Sequence, residues 1–528
     1  MRELSYPGRS NVLAQNGMAA TSNPLSSIEA INILQKGGNA VDASIAASAV
    51  QSVVCPSATG VGGDCFAIIS LNGKKPIAVN GSGIAPKKSN LEYFKNKKIN
   101  NIGLTSPHSV TIPGSVHAWC SIHEKYGKLD LEEVLKGAEN YARNGFPVHE
   151  VEAHAWGKNE KKLNIDKNSK KLFLKNNQSY KYGDIFKNIS LADTLKEIGK
   201  RKIKGFYNSH ITKDMVKTLN DLGGVHTEED FYSQETIFSS TISGIYKNLK
   251  IHQCPLNGPG IIVLLMMAMH ERLNTNQYEA TSFERYHLQA EITKVCYEFK
   301  ETKLGDPNFN NISIEKILSK SFIDNLCSKI NITKVYESKK AYVTSNPETV
   351  YLSVVDKDLN AVSFINSICH SFGSGISTSN SGILFQNRGV NFRLKENHPN
   401  VIQGNKRPLH TIIPGLVTNN KDESILSYGV MGGQYQPIGQ THVLQNILDY
   451  NLSIQESIDL PRVFALNGKI KIEKSLDIEI VNKLKNIGHK ILTVQDAIGG
   501  GQCIKIDRKE GILIGGSDPR KDGMAIGY

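Results

Sequence analysis

The order of helical and strand patterns along the 528-residue chain predicts an α+β protein. Up to about residue 145, helical patterns lead into an apolar strand at residues 65–71. Residues 150–345 alternate amphipathic helices, such as one predicted at 191–198, with short strands, and residues 349–528 are rich in strand patterns. Helices therefore flank strands in the first part, and the last part is rich in strands.

Two helices are predicted near the start of the chain. Residues 26–34 carry a helical pattern that ends at Gly37 and Gly38, and residues 40–49 are mostly small. The glycine-rich loop at residues 60–63 resembles a phosphate-binding loop only weakly, because it precedes a strand where a dinucleotide fold places it after one. We therefore predict no nucleotide and no other cofactor.

Composition and charge favour an ordinary globular protein. The chain has 39% hydrophobic and 21% charged residues, and its formal charge of +12 is spread through mixed-charge segments. A nucleic-acid-binding protein would concentrate such charge in a stripe or a known module, so we predict no nucleic-acid partner. The eight scattered cysteines are expected to be reduced, mostly buried thiols.

Targeting and membrane signals are missing from the sequence pattern. The first residues contain no apolar stretch of signal-peptide length, and the longest apolar run, residues 261–269, is about half of a membrane span. We therefore expect a cytoplasmic protein that is not inserted in a membrane.

A histidine pair at residues 149–154 briefly resembles a zinc-protease helix. His149 and His154 are five residues apart, however, and a shared helical face requires a spacing of four. We predict no metal at this segment.

A β-hairpin begins at Thr349, with strands at residues 350–356 and 361–366. The polar segment before it, residues 344–348, is typical of an accessible loop. A threonine hydroxyl becomes an effective nucleophile when the α-amine of its own chain terminus accepts its proton. A mid-chain threonine can acquire that amine if its hydroxyl attacks the preceding carbonyl and the peptide bond is then cut. This context alone is weak support, because many strands start with threonine.

Ordered motifs along nearly the whole chain strengthen this interpretation. They stand at residues 18–25, 37–43, 60–63, 205–207, 257–260, 305–307, 353–356, 372–376, 406–408, 432–433, 515–520 and 527–528. In these motifs the sequence resembles the γ-glutamyltransferase family of self-processing N-terminal-nucleophile hydrolases. The resemblance implies a four-layer αββα sandwich whose precursor is cleaved between Glu348 and Thr349. The products would be a large subunit, 1–348, and a small subunit, 349–528, which build the sheets jointly.

The same resemblance assigns catalytic roles. Thr349 matches the family's nucleophile, and Ser367 matches a second hydroxyl residue that orients it, although Ser367 could equally be an ordinary residue at the end of a strand. Gly432 and Gly433 match the oxyanion hole, where backbone N–H groups must approach the developing charge closely. A tight turn between strands is compatible with that role.

The predicted substrate pocket departs from the family pattern. A γ-glutamyl enzyme binds the glutamate carboxylate with an arginine and two serines, and the amine with an aspartate. In this sequence Ser82 stands at the arginine position, His410 and Thr411 at the serines, Asn391 at the aspartate, and Cys369 at a nearby asparagine. Losing the arginine and the aspartate removes the groups best suited to a zwitterion.

Residues 385–389, 398–400, 410–415 and 432–437 instead resemble a subgroup with oxamate amidohydrolase and acylase-like members. In that setting Arg388 is either a carboxylate anchor or a structural arginine, and His410 either lines the pocket or satisfies a buried hydrogen bond.

Three hypotheses about function follow. The first is an amidohydrolase for a small carboxylate-bearing amide such as oxamate, and the second is a γ-glutamyltransferase or glutathione hydrolase. The third is an unprocessed, non-enzymatic paralogue. A homodimer of the processed unit is compatible with all that the sequence shows.

Overall fold

The computed structural model describes Ser5, residues 8–338 and residues 348–528. The predicted loop at residues 344–347 lies outside the described residues. In the described part, two seven-stranded sheets face each other and helices cover both outer sides. The predicted αββα sandwich is therefore confirmed.

The first sheet contains the hairpin that begins after Thr349. All its neighbouring strands are antiparallel. In spatial order the strands are Met524–Gly527, Met18–Thr21, Val350–Val355, Ala361–Ser367, Asp64–Ser70, Ile77–Gly81 and Ile237–Ser240. Strands from both sides of the Glu348–Thr349 bond thus alternate within one sheet.

The second sheet is also antiparallel throughout. Its strands are Val12–Ala14, Ile512–Ser517, Gly500–Asp507, Ser424–Met431, Gly415–Thr418, Leu249–Gln253 and Ile242–Tyr246. It too mixes early and late parts of the chain, so either predicted cleavage product alone would leave both sheets incomplete.

The space between the sheets is filled by apolar side chains from alternate positions of the facing strands. Phe66 and Tyr351 of the first sheet pack there with Leu416, Met431 and Ile504 of the second, all buried. Burial of this kind is the main favourable contribution to folding. It holds the strand carrying Val350 in place on both of its faces.

Helices form the two outer layers. Ala40–Val54 lies against the hairpin strands, and each of its side chains is buried, as its small residues predict. Pro24–Gln35 and Ser115–Tyr126 also cover the first sheet, with Leu131–Asn144 and Ile189–Tyr207 packed outside them. The second sheet is covered by Gly260–Arg272, Gln436–Leu448 and Ile454–Asp459, and Phe283–Lys303 packs against Gly260–Arg272.

The remaining elements are shorter and lie around this frame. The helices are Leu91–Asn96, Glu150–Leu163, Lys167–Phe173, His210–Asp221, Glu228–Tyr232, Ile314–Ile317, Lys320–Cys327 and Ile478–Asn486, with 3-10 turns at Pro107–Ser109, Thr275–Gln277, Arg388–Asn391 and Gly433–Tyr435. The strands are Phe146–Pro147, Leu174–Lys175, Gln178–Ser179, Ile185–Phe186, Val463–Leu466, Lys469–Ile472 and Ile491–Thr493.

Two details differ from the predicted boundaries. Ser367 is the last residue of its strand and not the residue after it, because its backbone still pairs with Asp64. The helix predicted at 191–198 extends to Tyr207 across a kink at Lys202, whose φ is 54°. In the described part of the chain, no helix combines the length and the apolar character needed to cross a membrane.

Candidate active site

Thr349 and Ser367 lie side by side at one end of the first sheet. Val350 pairs with Asn366, so the residues just outside this pair, Thr349 and Ser367, are brought together by the hairpin register. Both are buried. Their hydroxyl oxygens are 3.1 Å apart. The sequence predicted each of these residues, and the antiparallel pairing explains their proximity.

The carbonyl of Glu348 lies between these two hydroxyls. Thr349 Oγ1 donates to Glu348 O at 2.7 Å, and Ser367 Oγ donates to the same oxygen at 3.2 Å. The backbone N–H of Glu348 donates to Cys369 O at 3.1 Å, which fixes the peptide on its other side. The hydroxyl of Thr349 is therefore held next to the bond that the sequence predicts to be cut.

Two donors orient the hydroxyl of Ser367. Its oxygen accepts from the backbone N–H of Cys369 at 2.9 Å and from Arg388 Nη2 at 3.1 Å. A serine hydroxyl has one proton and two lone pairs. With both lone pairs engaged, its proton is directed toward Thr349 Oγ1 or Glu348 O.

A buried cluster of polar side chains stands behind Ser367; we define it as Asp64, Ser82, Arg388, His410 and Thr411. Arg388 is fully buried, and its Nη1 donates to Thr411 Oγ1 at 3.0 Å. Its Nε lies 3.5 Å from Asp64 Oδ2. The arginine therefore bridges the hydroxyl of Ser367 and a buried carboxylate.

Burial raises the pKa of Asp64 to about 6, and the Arg388 guanidinium and the Gly83 N–H, which donates to Oδ1 at 2.8 Å, offset only part of that cost. Burial likewise lowers the pKa of His410 well below its ordinary value, and the charge of Arg388 adds to this. His410 is thus neutral at physiological pH, with its Nε2 2.7 Å from Ser82 Oγ.

Asn391, like the other predicted substrate-binding residues, has a hydrogen-bond partner inside the protein. Its side-chain amide donates to Leu409 O at 3.1 Å, and so it ties two loops together. The structure gives Arg388, His410 and Thr411 partners inside the protein as well. Their roles toward a substrate stay predictions.

A cavity of about 1300 Å³ opens on the other side of Thr349. Its lining includes Glu152, Glu348, Thr349, Gly432, Tyr435 and Lys521. Arg388, Asn391, His410 and Thr411 are not among the described residues that line it. The predicted nucleophile and one predicted oxyanion-hole glycine therefore share a space large enough for a small molecule.

The predicted oxyanion-hole glycines follow the strand Ser424–Met431 and precede the helix Gln436–Leu448. Gly432 has a φ of 117° and Gly433 a φ of 56°, which favour glycine. A Cβ at Gly432 would lie 2.7 Å from the Cα of Gly499, which is backbone and cannot move aside. The turn thus needs glycine at residue 432 for two independent reasons.

Two titratable groups of the cavity were not predicted from the sequence. Lys521 Nζ donates to Glu348 Oε2 at 3.0 Å, and its side chain is 13% exposed. Glu152 accepts from the hydroxyl of Ser57 at 2.8 Å, and burial raises its pKa to about 8. Glu152 is therefore mostly protonated at neutral pH.

Asp64, Glu152 and Lys521 were missed because none stands in a pattern that indicates chemistry. Asp64 directly follows the glycine loop at residues 60–63, which the sequence did flag. The structure explains that loop: a Cβ at Gly63 would lie 2.5 Å from Ser367 O. The glycines let this segment approach the strand end that carries Ser367.

One group among the described residues has the composition of a metal site. His287, Glu291 and His489 place their ligand atoms within 4.8 Å of one another. His287 Nδ1 is already 2.8 Å from His489 Nε2, and Glu291 pairs with Lys294. Hydrogen bonding accounts for this arrangement. His149 and His154, the pair whose spacing argued against zinc, do not belong to this group, and His154 is exposed and contacts Asp496.

Comparisons with known proteins agree with this fold and site. A model of the gamma-glutamyltranspeptidase family matches residues 26–528. The chain is 34% identical to a glutathione hydrolase-like YwrD proenzyme of Bacillus subtilis, covering 98% of this chain and 99% of that one. It is 28% identical to an oxamate amidohydrolase proenzyme of Klebsiella pneumoniae, covering 98% and 100%.

Among solved structures, the chain is similar to a cephalosporin acylase from Bacillus halodurans. The TM-score is 0.92 at 32% identity, with 100% of this chain and 99% of that chain covered. The family match, the shared fold and the hydrolase and acylase relatives lead to one conclusion. The chain belongs to the gamma-glutamyltranspeptidase family and is an amidohydrolase or acyltransferase of that family.

Proposed function

We propose that the chain cuts itself between Glu348 and Thr349, and that the new N-terminal threonine hydrolyses a small carboxylate-bearing amide of the oxamate type. The observation that carries this proposal is the contact of the Thr349 hydroxyl with both Glu348 O and Ser367 Oγ. The proenzyme names of two relatives support it. The mature protein would consist of a large subunit, 1–348, and a small subunit, 349–528.

Maturation begins with the hydroxyl of Thr349. Its Oγ1 forms a bond to the carbonyl carbon of Glu348 through a five-membered ring, and the C–N bond breaks as the nitrogen of Thr349 takes the proton. Water then hydrolyses the ester, which leaves a carboxylate on Glu348 and a free hydroxyl and amine on Thr349. Ser367 stabilises the charge that develops on Glu348 O by donating its directed proton.

The catalytic cycle repeats this chemistry on a substrate amide. Thr349 Oγ1 attacks the amide carbon, its proton passes through the α-amine to the leaving amine, and the C–N bond breaks. Water hydrolyses the acyl-enzyme and returns a proton to Oγ1. Gly432 and Gly433 are proposed to hold the oxyanion through backbone N–H groups. Arg388 acts as a positioning residue, because its contact with the reacting groups runs through Ser367.

A γ-glutamyltransferase or glutathione hydrolase activity is the second candidate. The B. subtilis relative at 34% identity is described as glutathione hydrolase-like, whereas the oxamate amidohydrolase relative is 28% identical. Purified protein should be assayed for ammonia release from oxamate and for nitroaniline release from a γ-glutamyl nitroanilide. Turnover of the anilide alone would overturn the oxamate assignment.

Thr349→Ala tests the nucleophile and the cut together. We expect the variant to remain one full-length chain on a denaturing gel, while the wild type gives two fragments of unequal size. Activity should fall roughly 10⁴-fold or more, because no other group replaces the nucleophile. A Thr349→Ala chain that is cut and active would refute the proposal, and a persistent full-length wild type would favour the unprocessed paralogue.

We further propose a cytoplasmic enzyme whose processed unit forms a homodimer, without nucleic-acid or membrane partners. Light scattering after size-exclusion chromatography measures the mass in solution, and a mass of one processed unit would refute the dimer.

A further inference from the structure

The turn that follows Ser367, residues 369–373, makes two contacts that the proposed maturation needs. The backbone N–H of Cys369 donates to Ser367 Oγ at 2.9 Å. The carbonyl of Cys369 accepts from the backbone N–H of Glu348 at 3.1 Å. A single residue of this 369–373 turn thus orients the hydroxyl of Ser367 and holds the peptide that is proposed to be cut, so the conformation of the turn controls both.

The backbone of the 369–373 turn has a conformation that its residues disfavour. Cys369 has a φ of 80° and Phe372 a φ of 54°, in the left-handed region where a side chain is costly. Gly373, with a φ of 48°, continues this path. Such a conformation persists only where the surrounding structure holds it. The N–H of Phe372 donates to Ser57 O at 2.8 Å, which fixes the turn at one point.

Lys162 fixes the turn at two further points. It lies in the helix Glu150–Leu163, and its Nζ donates to Ser371 O at 2.7 Å and to Gly373 O. Asn159, one helical turn earlier, donates through Nδ2 to Ser371 Oγ at 2.9 Å. The helix belongs to the proposed large subunit and the turn to the proposed small subunit, so these contacts cross between the two products of the cut.

The ammonium group of Lys162 is committed to these two carbonyls. In the part of the chain that the structure describes, no carboxylate pairs with it. Burial lowers the pKa of Lys162 to about 8, and the interaction with Cys369 offsets only part of that effect. The lysine is therefore mostly charged at pH 7. Hydrogen bonds from a charged donor are stronger than those from a neutral one, which suits the task of holding a disfavoured turn.

We propose that Lys162 is a positioning residue: it holds the 369–373 turn, so that the first residue of the turn orients the Ser367 hydroxyl and the peptide to be cut. This inference rests on the proposed function and adds a residue of the large subunit to it. Lys162 also lines the cavity in front of Thr349, where a substrate-binding role is the alternative. Maturation separates the two roles, because the chain cuts itself without a substrate.

Lys162→Met tests the inference on the full-length chain. Cell-free translation followed by denaturing gels gives the rate at which the newly made precursor is cut. We expect cutting to slow roughly 10- to 100-fold, because two hydrogen bonds from a charged donor are lost. The kcat of the cleaved protein should fall by a similar factor with KM little changed. Lys162→Arg, whose guanidinium also donates to carbonyls, should restore part of both rates.

Two variants of the same helix serve as controls. Lys161→Met removes the neighbouring lysine, which is exposed and lines the same cavity, so it changes the charge of the cavity and leaves the contacts to the turn in place. Leu163→Ala removes a buried side chain and lowers the stability that urea unfolding measures, while Lys162 keeps its contacts. The folded protein of both controls should be cut at the wild-type rate. Lys162→Gln, uncharged and one bond shorter, should be cut slowly, and it takes the place of Lys162→Met if that variant does not fold.

A wild type that stays uncut would overturn the proposed function and this inference together. If the wild type is cut and Lys162→Met is cut at the same rate, only this inference fails. It also fails if Lys161→Met or Leu163→Ala slows the cut as much as Lys162→Met does, because charge or stability would then explain the loss. A higher KM with an unchanged rate of cutting would make Lys162 a substrate-binding residue and overturn the positioning role.

Discussion

The two sides of Thr349 differ in how their charges are paired. On the buried side, Arg388 is paired with Asp64, and both residues stay in place after cleavage. On the cavity side, Lys521 is paired with Glu348, which would become a chain end. Arg388 contacts Asp64, Ser367 and Thr411, and none of these four lies on the segment to be cut. Lys521 contacts Glu348, the last residue before the cut. The two sides therefore suit different tasks: the buried side orients the nucleophile, and the cavity side receives the substrate.

The strongest test of the cavity side is Gly432→Ala. A methyl group there would lie 2.7 Å from the Cα of Gly499 at a φ of 117°, so the turn must shift and move its N–H groups. We expect kcat to fall by roughly 10²- to 10³-fold, as when an oxyanion donor is lost. Steady-state kinetics on the cleaved protein measure this.

Gly223→Ala is the matched control, since Gly223 also has a positive φ, 88°, but nothing lies within 4 Å of its Cβ position. Its activity should equal that of the wild type. Full activity in Gly432→Ala would remove this turn from the proposed mechanism.

The buried side is tested by Arg388→Met, alone and combined with Asp64→Asn. The single change leaves a buried carboxylate unpaired and should lower the free energy of unfolding by about 3 kcal/mol. The double variant should recover most of that stability, while cleavage stays roughly 10- to 100-fold slow because Ser367 has lost a donor. Urea unfolding and the time course of cleavage on gels separate the two effects.

Arg462 and Asp518, 2.5 Å apart and fully buried, are the matched control. Replacing Arg462 alone should lower the free energy of unfolding as Arg388→Met does. Replacing both Arg462 and Asp518 should restore the free energy of unfolding and the rate of cleavage together. If the double variant of Arg388 and Asp64 cleaves at the wild-type rate, Arg388 is a structural residue and does not position Ser367.

A third test concerns Glu152. Its pKa is about 8 in the folded protein and about 4.5 when unfolded. The folded protein therefore keeps a proton that the unfolded chain releases, so the free energy of unfolding falls as pH rises from about 4.5 through 8. Glu152→Gln, whose amide can still contact Ser57, should make stability flatter across this window and higher at pH 9 by a few kcal/mol.

Urea unfolding at several values between pH 5 and pH 9 measures this slope. Glu132→Gln, at an exposed helix position, should keep the wild-type slope. An unchanged slope in Glu152→Gln would show that Glu152 is ionised in the folded protein and would leave Lys521 with a second counter-charge.

Much of the fold could be predicted from local patterns. The hairpin after Thr349 and the small-residue helix at 40–49 follow from alternation and residue size, which act over a few residues. Ordered motifs extended this to the αββα sandwich. Predictions were least accurate at element ends, such as Ser367 and the helix ending at Tyr207, because tertiary contacts decide where an element stops.

The sequence by itself determined the family and, through the motifs of that family, the sandwich and the candidate roles of Thr349 and Ser367, because these ordered motifs run along nearly the whole chain. Only the tertiary structure decided which charged groups meet there. Asp64 and Arg388 are far apart in the chain, as are Glu348 and Lys521, and no local rule relates them. The tertiary fold brings each pair together, and the burial this imposes sets their partners and their charge.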